Sequence, residues 1–112
     1  MVRPWVGLAL LPKETALRLG LPVPERGLRV ERVYPASPAD QGGIRTDDAL
    51  VAIGREPVNS LGDVFRILGQ HRVGDRLTLT ILRRGVTHTV AVALAPLPEA
   101  AVARGAQAAP GA

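Results

Sequence analysis

Two alternating apolar runs near the end of the chain constrain its fold more than any other feature. Leu77, Leu79 and Ile81 form one run, Val90, Val92 and Leu94 the other, and Arg84-Gly85 lies between them. Alternation at period two turns one face of each run to a core and the other to solvent, and a short glycine-containing break between two such runs predicts an antiparallel β-hairpin. A lone hairpin is marginal in water, so the rest of the chain must supply a partner layer. The segment 61–70 is that partner. Ser60 stands at its N-cap and Asp63 at the third helical position, an acidic variant of the capping box, where the helix dipole also favours negative charge. Leu61, Val64, Phe65 and Leu68 recur at helical spacing, and Ile67 widens the stripe. A stripe this wide allows two arrangements. Either all five side chains pack inside, or the helix has a core face and a second apolar face turned to something else.

The upstream elements are shorter. Trp5 to Leu11 is apolar apart from Gly7 and ends at Pro12, which predicts a strand whose backbone turns, or closely approaches something, at Gly7. Residues 13–19 read as a short helix closed by Gly20, and Leu21 to Pro24 as a stiff connector. Leu28 to Val33 alternates as a half-buried strand does. Ser37 before Pro38 is an N-cap before an N1 proline, opening a helix of one or two turns that ends at Gly42-Gly43. Leu50 to Ile53 is a short buried strand, followed by a turn and a small strand within Gly54 to Val58. From Pro96 the chain is Ala, Pro and Gly of low complexity, too poor in bulky residues to offset the entropy of ordering. The expected organisation is one domain over 1–95 and a flexible tail over 96–112, with room for a short helix across Glu99 to Arg104.

Composition narrows the function classes. Hydrophobic residues make up 46% of the 112 residues but aromatics only 3%, so any exposed Trp or Phe becomes a recognition candidate. With no cysteine, disulfides, thiol nucleophiles and thiolate metal sites are excluded. The net charge is +4, and Lys13 is the single lysine among 14 basic residues. Only Arg83 and Arg84 are adjacent, with no basic run or interleaved aromatics, which points away from nucleic acid. No segment reaches the roughly 18 apolar residues of a membrane span, so no membrane insertion is expected. The start lacks the apolar stretch of a signal peptide, leaving either a cytosolic protein or a piece of a longer exported one.

Catalysis is not expected. Ser37 and Ser60 are explained as caps, His71 follows a helix, and His88 faces outward in a strand. No Gly-x-Ser-x-Gly or Gly-Asn-Ser-Gly-Gly stretch supplies a nucleophile with an oxyanion hole. Two distant histidines make no metal site, Asp47-Asp48 reads as a turn, and no cofactor is implied.

The element order, together with five stretches, resembles the PDZ domain of HtrA/Deg-type bacterial, trypsin-like serine proteases. The stretches are Arg3 to Leu8, Val30 to Ala39, Gly43 to Arg45 with Asp48 to Ile53, the helix from Ser60, and Val73 to Leu79. Two turns depart from the family pattern: Thr46-Asp47-Asp48 replaces Pro-Gly-Asp, and Gly54-Arg55-Glu56-Pro57-Val58 lacks the usual Asn. Asp tolerates a left-handed backbone better than most residues, so the first turn should survive.

The resemblance implies a mostly β, α+β fold: a partly open five- to six-stranded β-barrel capped by two helices, in the circularly permuted bacterial strand order. It places a carboxylate-binding loop at Trp5, Val6, Gly7 and Leu8, with Arg3 a candidate to assist. It makes Ala9 and Leu10 a strand edge for an added peptide and turns Leu61, Phe65 and Leu68 to the groove, with Val64 and Ile67 to the core. Taken alone, Gly7 reads equally well as a strand glycine between two core residues. Where family members select Ser or Thr two residues before a C-terminus, they usually carry His at the position of Leu61. Leu61 therefore implies C-terminal peptides apolar at the last and third-last residues. The implied role is substrate recognition or regulation in an HtrA-like protease of the periplasm or another extracytoplasmic compartment, from a domain monomeric when isolated. The alternatives are a scaffold or gate of another exported or membrane protease or secretion component, or a structural domain whose groove is filled by a neighbour or by Pro110-Gly111-Ala112.

Overall fold

A computed structural model describes residues 3–98 of the chain. The first apolar run breaks in two at Gly7, giving β1 (Pro4–Trp5) and β2 (Leu8–Leu11). Gly7 has φ +97°, a region that L side chains rarely adopt, and this bends the chain between the strands. Helix α1 (Lys13–Arg18) follows, buries Ala16, and closes where the Leu21 N–H returns to the Ala16 carbonyl at 2.9 Å. β3 (Leu28–Val33) has the expected bounds. In the one-turn α2 (Pro38–Gln41), Ser37 Oγ accepts from the Asp40 N–H at 3.2 Å.

β4 (Ala49–Ile53) turns at Gly54 into β5 (Glu56–Pro57). Helix α3 (Leu61–Leu68) ends at its Gly69 cap, two residues short of the expected Gln70. Its cap is reciprocal: Ser60 Oγ accepts from the Asp63 N–H at 3.1 Å, and the Asp63 carboxylate accepts from the Asn59 N–H at 2.9 Å. That backbone bond holds the Asp63 carboxyl below the ordinary aspartate value of 3.8. The hairpin is β6 (Arg76–Arg83) and β7 (Val86–Ala93). Arg84 and Gly85 both have positive φ, as a two-residue type I′ turn requires.

The larger sheet has six strands: β2-β3-β4-β6-β7 in order, with β5 on β4. Its core holds Leu8, Val30, Leu50, Val64, Leu79 and Ile81 among others, each at most 1% exposed. Three helices lie among the described residues, the two main ones α1 and α3 and the expected short one α2. A separate pair joins β1 to β8 (Ala95–Pro96), and the Leu97 N–H donates to the Arg3 carbonyl at 2.9 Å. Paired structure thus runs past the boundary expected at residue 95. The rest of the expected tail, with its helix across Glu99 to Arg104, lies outside the described residues.

The turn at 46–48 does survive, and Asp47 takes the left-handed backbone there with φ +78°. Asp48 is more than a turn residue. It is 2% exposed, receives both the Nε and an NH2 group of Arg83 at 2.8 Å, and accepts from the Arg45 N–H at 2.8 Å. The same guanidinium donates to the Gly43 carbonyl at 3.0 Å, so one side chain ties the hairpin to the loop after α2. Hydrogen bonding to Asp48 raises the Arg83 pKa above its ordinary value.

Candidate functional site

β2 lies at the end of the sheet order, so one of its backbone edges pairs with no strand among the described residues. At its head, the Val6 carbonyl accepts from the Ala39 N–H and the Gly7 carbonyl from the Tyr34 N–H, both at 2.9 Å. Both loop carbonyls are therefore engaged by the body of the domain. Among the described residues the Val6 and Gly7 N–H groups donate to no acceptor. Successive free amides at a glycine bend are the raw material of an anion-binding nest.

The bend is locked from below. A Cβ built on Gly7 would lie 2.1 Å from Ser37 Cβ, and Ser37 is 1% exposed beneath it. Ser37 thus serves as both the α2 cap and the floor of the loop. Trp5 is not the exposed recognition aromatic that composition allowed. It is 6% exposed and packs 5.5 Å from the Tyr34 ring, with its Nε1 buried and unpartnered among the described residues.

Helix α3 splits its stripe, though not along the expected line. Val64 and Ile67 enter the core as expected. Leu68, expected to face the groove, joins them at 4% exposure, because it lies one turn beyond Val64 on the same side. Leu61 is half-buried against the core, and Phe65 stands 40% exposed. Of the expected groove side chains on α3, Phe65 and Leu61 are therefore the ones with surface to offer. In β2 the pattern alternates, with Leu8 and Leu10 buried and Ala9 half-buried. Arg3 is exposed and its guanidinium lies 5.9 Å from the centre of the Phe65 ring. This contact brings the head of the loop and the exposed face of α3 to one mouth.

Ser37 and Ser60 cap helices, His71 lies 3.4 Å from Asp75, and His88 is exposed in β7. No three His, Asp or Glu side chains gather in a metal-binding group among the described residues.

An open strand edge with a glycine-bent loop at its head and a helix beside it defines the class: a domain of the PDZ architecture. The sequence profile of the PDZ domain matches residues 7–94, and the chain belongs to that family. Among curated relatives, it is 36% identical over 66 residues to the serine protease Do-like HtrB of Bacillus subtilis (strain 168), covering 58% of this chain and 14% of that protein. It is 33% identical over 98 residues to a probable periplasmic serine endoprotease DegP-like of Rhizobium meliloti (strain 1021), covering 86% and 19%. The chain thus spans a fifth or less of either relative's length. Among solved structures, the HtrA-type protease AlgW with decapeptide matches with a TM-score of 0.71 at 25% identity, covering 87% of this chain and 30% of that one. The HtrA3 PDZ domain bound to a phage-derived ligand (FGRWV) shares the fold, with a TM-score of 0.71 at 20% identity over 87% of this chain and 89% of that one.

Proposed function

We propose that the chain is a peptide-recognition module that captures protein C-termini. The ligand adds as a strand to the free edge of β2 and places its terminal carboxylate on the amides of the 5–8 loop. The observation carrying this reading is the pair of free amides at Val6 and Gly7, set at the head of an unpaired strand edge. The last side chain of the ligand lies toward Phe65 and the third-last toward Leu61, both apolar, so apolar residues are selected at those two positions. Arg3 stands at the carboxylate end of the same mouth and adds positive charge there.

The module serves an HtrA-like serine protease whose catalytic domain lies elsewhere in the parent protein, and it delivers substrates to that domain or regulates it. The names of the relatives and the peptide in the AlgW structure support this, as does the small share of each relative that the chain spans. The periplasmic naming of the Rhizobium relative supports an extracytoplasmic site of action for the parent.

Selection from a library of random C-terminal peptides tests the specificity. Enrichment of apolar residues at the last and third-last positions is the expected result. Enrichment of Ser or Thr third from the end contradicts the role given to Leu61.

A further inference from the structure

The groove accounts for the ligand side chains turned toward the core but not for those turned away. Along β2, Leu8 and Leu10 face inward and Ala9 outward, and a strand added to the same edge alternates in step. With the last and third-last ligand side chains inward, the next-to-last stands outward beside Ala9. Ala9 pairs across the sheet with Arg32, and residues directly opposite in an antiparallel pair share a face. Because Ala9 ends at a methyl group, nothing on β2 stands between that ligand side chain and Arg32. The register shift between Ala9 and Leu10 places Glu31 as an extra residue on β3, so Arg32 keeps the outward face.

Arg32 is exposed, and its guanidinium lies 5.0 Å from the centre of the Tyr34 ring. Tyr34 packs on Trp5 and donates its N–H to the Gly7 carbonyl, so the stacked cation is tied to the loop itself. The neighbouring carboxylates are taken: Arg29 pairs with both Glu31 and Asp47. No ion pair joins Arg32 to a carboxylate among the described residues.

We infer that Arg32 reads the next-to-last residue of the ligand and selects an acidic side chain there, so that preferred partners end in an apolar, an acidic and an apolar residue. The inference rests on the groove reading above. Exposed ion pairs are weak, but a guanidinium already held on an aromatic face loses less freedom on pairing.

The test uses the 112-residue chain and labelled hexapeptides with leucine third from the end and valine last. Glutamate, glutamine or lysine stands between them, and affinity is read by fluorescence anisotropy at low and high salt. The expected order at low salt is glutamate tightest, roughly threefold over glutamine, with lysine weakest, and salt flattens the series. Arg32→Ala should level the three peptides and Arg32→Glu should invert their order, with unfolding curves unchanged. The same order persisting in Arg32→Ala, or no order in the native chain, overturns the inference. In the second case, retained binding of all three peptides leaves the groove reading standing, whereas binding by none removes both.

Discussion

Gly7 carries the strictest requirement of any single residue in the groove. Its φ of +97° and the Ser37 side chain beneath it exclude a Cβ for two independent reasons, one conformational and one steric. Left-handed backbone costs an L residue roughly 1–2 kcal/mol and overpacking a well-filled site roughly 1–3 kcal/mol. Gly7→Ala is therefore expected to lower stability by about 3 kcal/mol, read as a shift of the urea midpoint at constant slope. Under conditions where that variant remains folded it should also lose peptide affinity, because the Val6 and Gly7 amides are displaced. The sequence placed the bend at Gly7 and left open whether it was a strand glycine or a nest. What the local sequence does not show is the surroundings of the bend, since Ser37, Tyr34 and Ala39 approach the loop from about thirty residues away in the sequence. Trp5 shows the same dependence: composition makes an aromatic conspicuous, but Trp5 is buried against Tyr34.

Among the elements, α3 was the most legible, since its cap, start and periodicity are all local. What could not be read locally is which side of a wide stripe the sheet covers. Val64, Ile67 and Leu68 are covered, while Phe65 is left out. This division yields a contrast between neighbouring positions. Val64→Ala removes two methyl groups from a fully buried site and should cost about 2 kcal/mol of stability. Phe65→Ala should shift the unfolding midpoint little, because the ring is largely outside the core, yet should weaken binding of peptides with an apolar last residue. Thermal unfolding and peptide titration on both variants check this. If Phe65→Ala left affinity unchanged, α3 would be a core helix and not a groove wall. The hairpin was equally legible, since strict alternation and a two-residue turn fix its register from Arg76↔Ala93 to Arg83↔Val86. β1 and β8 were not, because two-residue strands have no periodicity to detect.

At the scale of the whole molecule, the architecture followed from element order and five spaced stretches. The ties that hold distant parts together did not. Asp48 and Arg83 are 35 residues apart, and neither announces a partner. The pairing of β1 with β8 brings residues 4–5 against 95–96 and extends past both ends of the profile-matched range 7–94, so the support of the 5–8 loop lies partly outside the family's signature. The loop amides, the β2 edge, Phe65 and Arg3 lie at one mouth, joined by the Arg3–Phe65 contact. Its proposed ligand is a chain end, not an internal strand, and one chemical change separates the two. Each peptide selected from the library can be titrated twice, as the free acid and as the C-terminal amide, against the native chain. The account predicts that amidation weakens binding by at least tenfold, the loss of about 1.4 kcal/mol expected when charge-assisted hydrogen bonds to the loop amides are removed. Equal affinity of the two forms would contradict it.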